Sequence, residues 1–172
     1  MNIQAQKSNF IHKLLADNAI LAALQRNKTY DSGDIDSGPF RAAFADQLIL
    51  QNDRSSTAVE DCDVIKQIAD NLSAEFGAIL IGRQLRIGTV QKGLNLYLKT
   101  VWCMESGWPT PPHCPIDRKI LEVAGINESW TKLDSLATYC VWIEKLRARA
   151  LGEGFKNLAE WELCVWQSDR NE

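Results

Sequence analysis

The chain has 172 residues, which suits one domain and is long enough to close a hydrophobic core. Its formal charge of −3 excludes a generally basic nucleic-acid coat. No stretch approaches the ~18 apolar residues of a membrane span, and the opening "MNIQAQKSNF" has no apolar signal core, so a cytoplasmic protein without a membrane partner is expected.

The predicted elements are helices throughout. Ser8 is the expected cap of a first helix running to about Arg26, with Phe10, Leu14, Ile20, Leu21 and Leu24 as its apolar face. "NKTYDSGDIDSGP" is rich in turn formers and reads as a loop. Pro39 opens a second helix marked by Phe40, Phe44, Leu48 and Ile49. After the polar "QNDRSST" break, Val64, Ile65, Ile68, Leu72 and Phe76 predict a third. "IGRQLRIG" then interrupts the pattern, as a tight turn between helices or a short strand.

A helix from about Thr89 follows, then a proline-rich loop and a helix from Pro115 to about Val123. "INESWTKLD" leads into a helix carrying Leu136, Tyr139, Val141, Trp142, Leu146 and Ala150, which Gly152 and Gly154 end. Phe155, Leu158, Trp161, Leu163 and Trp166 mark the last one. The fold class expected is a single-domain, all-α, multi-helix bundle.

Charge and cysteine content narrow the chemistry. From Asp31 to Asp63 acids dominate, with Arg41 and Arg54 the bases among them. From Ala78 to Met104 the bases Arg83, Arg86, Lys92 and Lys99 occur with no acid, a pattern that either binds phosphate or solvates helix ends. Cys62, Cys103, Cys114, Cys140 and Cys164 are scattered, mostly within apolar helical segments, as reduced buried thiols would be. Cys103, His113 and Cys114 invite a zinc reading, but paired C-x-x-C spacing and a fourth ligand are missing, so no metal is expected.

Lys92 and Asp117 are the candidate reactive pair. Val90, Leu94, Tyr97 and Val101 share one side of the Lys92 helix, with Leu98 and Trp102 beside them, so this helix is buried around most of its circumference. A lysine in its opening turn faces a cleft, where desolvation and the helix end favour the neutral amine that a nucleophile needs. The plain alternative is a lysine whose ammonium reaches solvent. Asp117 falls in the first turn of the next helix, where the dipole favours a carboxylate. His113 lies beside it in the loop and titrates near neutrality if exposed.

"IGTVQKGLNLYLKTVW" followed by "PIDRKIL", within Arg86 to Leu121, resembles the core of the helix-hairpin-helix DNA glycosylase superfamily, in particular its 8-oxoguanine glycosylase branch. The resemblance implies that Lys92 attacks the anomeric carbon of the sugar, releases a damaged base and leaves a Schiff base that allows strand cleavage. It implies that Asp117 stabilises the positive sugar and helps to move protons. The partner implied is duplex DNA carrying a damaged or modified base, and the chemistry needs no cofactor. The chain departs from the family pattern in lacking Gly-x-Gly before Lys92 and in a longer connection, "ESGWPTPPHC".

Under this reading Arg83, Arg86, Gly88, Lys99, His113 and Arg118 are expected at the DNA, and Trp102, Trp108 or Trp130 stacks on a flipped base. The competing reading is a non-catalytic helical module that binds DNA or a protein, with Asp31 to Asp36 and Trp108 as the protein-binding features.

Overall fold

The computed structural model describes residues 2–31, 35–52 and 62–168. Among them the chain is an all-α bundle: α1 (Ile3–Leu24), α2 (Gly38–Ile49), α3 (Asp63–Phe76), α4 (Ile87–Met104), α5 (Arg118–Val123), α6 (Leu136–Gly152) and α7 (Leu158–Ser168). No helix among the described residues is long and apolar enough to cross a membrane. Residues 32–34 of the acidic loop, and most of "QNDRSST", lie outside the described residues.

α4 is the central pillar. Val90, Leu94, Tyr97, Leu98 and Val101 supply its apolar sides, and Thr89, Gln91, Lys92 and Asn95 are buried on it as well. Polar groups inside a core need partners, and each of these four finds one. Those partners fix the surrounding loops and build the site.

α1 corrects the sequence expectation at both its start and its face. It is capped by Asn2, whose side-chain oxygen accepts from the N–H of Gln4 at 3.1 Å, so the helix begins well before Ser8. Its buried face is His12, Leu15, Ala16, Ala19, Ile20 and Ala23, while Phe10, Leu14 and Leu21 point outwards. Small side chains let α1 lie close against α4: the position of a Cβ on Gly93 would be 3.7 Å from Ala23 Cβ. His12 makes a buried hydrogen bond to the Tyr97 hydroxyl at 2.9 Å and contacts Glu105 at 3.1 Å, linking the two helices further.

"IGRQLRIG" opens with a short 3₁₀ turn (Ile81–Arg83), preceded by another at Gly77–Ile79, rather than forming a strand, and one isolated bridge joins Tyr30 and Leu80. Gly82 and Arg83 both have positive φ, 65° and 60°, and this left-handed pair swings the chain into α4. Ser73 of α3 accepts from the Leu85 N–H at 2.8 Å and fixes the exit of the turn. The cysteine expectation holds in part: none of the five is in a disulfide, but only Cys114 is fully buried and Cys103 and Cys164 are exposed.

Candidate active site

The loop before α5 runs along α4 and is held there by side chains of α4. Gln91 accepts from the Ile116 N–H at 3.0 Å and donates to the Ile116 carbonyl at 2.8 Å, a two-point clamp on buried backbone. The next residue on each side completes the register: Lys92 Nζ lies 2.9 Å from Asp117 Oδ2. Further along, Asn95 donates to the Tyr139 hydroxyl at 3.0 Å, which is 2.9 Å from His113 Nδ1. Three polar positions on α4 thus position the loop.

Asp117 is the N-cap of α5, one residue before the helix rather than within its first turn. Its Oδ1 accepts from the Ile120 N–H at 3.2 Å, leaving Oδ2 for Lys92. Burial pushes the carboxyl up, but the Lys92 charge and hydrogen bonds from Lys92, Ile120 and Trp166 outweigh it and hold Asp117 below its ordinary value. Lys92 falls in the second turn of α4, because the helix begins at Ile87. The two side chains are only 10% and 19% exposed.

α7 covers this pair and brings a second one. Glu162 is fully buried, and its Oε2 lies 2.6 Å from Lys99 Nζ. Burial raises the Glu162 carboxyl, opposed by the charges of Lys99 and Lys92, while Asp117 adds to the rise. Trp166, one turn further along α7, hydrogen-bonds Asp117, and its ring centre is 5.7 Å from Lys99 Nζ. Lys119 of α5 donates to the Val165 carbonyl at 2.5 Å and fastens α7 over the site.

Breaking the second pair should be costly. Glu162→Ala leaves the Lys99 ammonium buried without its carboxylate and is expected to lose about 3–5 kcal/mol in urea unfolding. Lys99→Met combined with Glu162→Leu should recover most of that loss, since no charge then remains to be desolvated. A double variant as unstable as the single one would show that packing, not charge, is what Glu162 supplies.

Several residues expected at DNA are otherwise engaged. Lys99 is committed to Glu162. Arg86 donates to the Thr131 carbonyl at 2.7 Å and stands 3.7 Å from Asp134. His113 is buried against Tyr139, and burial, aided by the Arg147 charge, lowers its pKa to about 4, so it is a neutral core residue. Gly88 is buried against the 3₁₀ turn at Trp130–Lys132, and its N–H donates to the Leu133 carbonyl at 2.8 Å.

Arg83 is exposed, and Arg118 is exposed beside Glu122 at 3.3 Å; these two remain open to an anion. Of the expected stacking residues, Trp130 is buried core. Trp102 is half-buried, and Trp108 packs near His12, with ring centres 6.1 Å apart. The aromatic at the Lys92–Asp117 pair is Trp166.

Gln91, Glu162 and Trp166 were missed as site residues. Glu162 carried a legible signal: Leu158, Trp161 and Val165 make an apolar stripe along α7, and Glu162 sits within it. An acid at a core position must either hold its proton or meet a cation, and Glu162 meets Lys99. Compared with family models, curated proteins and solved structures, the chain matches none.

Proposed function

We propose that the chain is a DNA glycosylase and abasic-site lyase acting through a Schiff base on Lys92. The observation that carries this reading is the 2.9 Å approach of Lys92 Nζ to Asp117 Oδ2 within a covered site. An amine and a carboxylate in contact supply the nucleophile and a proton relay together. In the proposed step Asp117 takes a proton from the ammonium, and the freed amine forms the bond to C1′ as the base leaves with the bonding pair. The second amine proton passes to the departing base, and the protonated carboxyl returns its proton to O4′ as the C1′–O4′ bond breaks and the nitrogen pair forms the protonated imine. Arg83 and Arg118 are the cations open to the phosphate backbone, and Trp166 is the ring placed to stack on the extruded nucleotide or to move aside for it.

The competing reading, a binding module in which the pair is structural, is favoured by how little of the pair is exposed. Borohydride reduction separates the two. The wild-type chain should form a covalent adduct with a duplex containing an abasic site, and with one containing 8-oxoguanine. No adduct on either duplex would overturn the glycosylase reading and leave the module.

Asp117→Asn tests the carboxylate. Asn retains N-capping capacity but loses the charge, so base release should slow at least about a hundredfold while DNA affinity changes little. Its effect on stability should depend on pH. Because folding lowers the Asp117 pKa, the carboxylate stabilises the fold above its unfolded value near ~3.9 and stops doing so as pH falls through the folded value. The stability gap between wild type and Asp117→Asn should therefore close under acid conditions and be full at neutrality. A gap that does not vary with pH would assign the effect to shape alone.

A further inference from the structure

Nine large apolar side chains are exposed among the described residues, and four of them, Ile3, Phe10, Leu14 and Leu21, lie on α1. They are 65%, 68%, 47% and 40% exposed, and they occupy the side of the helix away from the buried His12, Ala16, Ala19 and Ala23. Their spacing is that of a coiled-coil seam. Steps of four and three residues run through Ile3, Lys7, Phe10, Leu14, Asp17 and Leu21, so that the two charged residues complete the stripe. From Asn2 to Phe10 every residue is exposed, so the first turns of α1 have no cover among the described residues.

This seam is self-complementary in one orientation. If a second α1 runs antiparallel with a two-fold axis at the level of His12, Ile3 faces Leu21, Phe10 faces Leu14 and Lys7 faces Asp17. Each apolar residue then meets an apolar residue, and each charge meets its opposite, twice over by symmetry. A parallel pairing would set Lys7 against Lys7 and Asp17 against Asp17. Other registers leave a charge facing an apolar side chain.

We propose that α1 is a self-association surface, pairing antiparallel with α1 of a second copy of this chain in the register that joins Lys7 to Asp17. The bodies of the two copies lie on the outer sides of the helix pair, because each α1 buries its opposite face at home. The uncovered first turns of one helix lie along the second half of the other. The charged pair selects orientation and register, as a polar seam position does in other helix pairs, while Phe10 and Leu14 supply the central contact.

Sedimentation equilibrium on the full chain tests this. The wild type should sediment with twice the chain mass in the micromolar range. Phe10→Glu should be monomeric with an unchanged far-UV circular dichroism spectrum, since the side chain is exposed at home. Lys7→Asp and Asp17→Lys should each weaken association at least about tenfold by setting like charges opposite one another. The double variant Lys7→Asp/Asp17→Lys should restore it, an outcome that a merely structural role for either residue would not give. A monomeric wild type would overturn the proposal and leave the stripe to a different protein or a lipid surface. A dimer indifferent to both single charge reversals, or not restored in the double variant, would overturn the register and the face.

Discussion

Lys92→Gln is expected to abolish borohydride trapping, a loss of at least about a hundredfold, because a carboxamide nitrogen has no nucleophilic lone pair for the sugar carbon. The choice of glutamine matters for a lysine in contact with a buried carboxylate. Its amide can still donate to Asp117 Oδ2, so the acid is not left without a partner, and the stability cost should stay near ~1–2 kcal/mol. Lys92→Leu would instead strand the carboxylate and confuse lost chemistry with lost folding. Stability and DNA affinity close to wild type, with no adduct, are therefore the expected signature of a lost nucleophile. An adduct retained by Lys92→Gln would move the nucleophile to another amine.

Among the described glycines, Gly88→Ala should be the most damaging. A Cβ at this position would sit 1.9 Å from the Trp130 carbonyl oxygen, a backbone atom that cannot rotate away. The first turn of α4 would have to withdraw from the turn at Trp130, giving up the Gly88 N–H to Leu133 bond. A loss of about 3–4 kcal/mol in urea unfolding is expected, more than overpacking usually costs in a side-chain core. Gly152→Ala is the control, since a Cβ there meets nothing within 4 Å and alanine is the better helix former. Equal stability of the two variants would show that α4 has room to move. The glycine expected at a DNA phosphate thus has a sufficient reason to be glycine in the packing of α4.

Helices α3, α4 and α6 were legible from the sequence because their signals are local. Val64, Ile65, Ile68 and Leu72 recur at helical spacing and are buried in α3. Gly152 and Gly154 mark the end of α6. The crowding of apolar residues on both sides of Lys92 identified α4 as a buried pillar, and the lysine and aspartate it singled out do meet. Their meeting was expected from their placement in the opening turns of two helices joined by a proline-rich loop, to which the resemblance added, although spacing along a chain does not by itself bring residues 25 positions apart into contact.

What the tertiary structure decided is which face each helix buries and which charge meets which. On α1 periodicity alone favours the large residues, yet the neighbouring α4 admits the alanine face and leaves Phe10, Leu14 and Leu21 outside. Val141 of α6 is left exposed in the same way. Lys99 and His113 read as surface groups because their partners lie far along the chain: Glu162 on α7 for the lysine, Tyr139 on α6 for the histidine. Helical period and capping are short-range properties of the backbone. Burial and ion pairing depend on the shape and charge of whatever packs opposite, and that is set only when the other described helices close on α4.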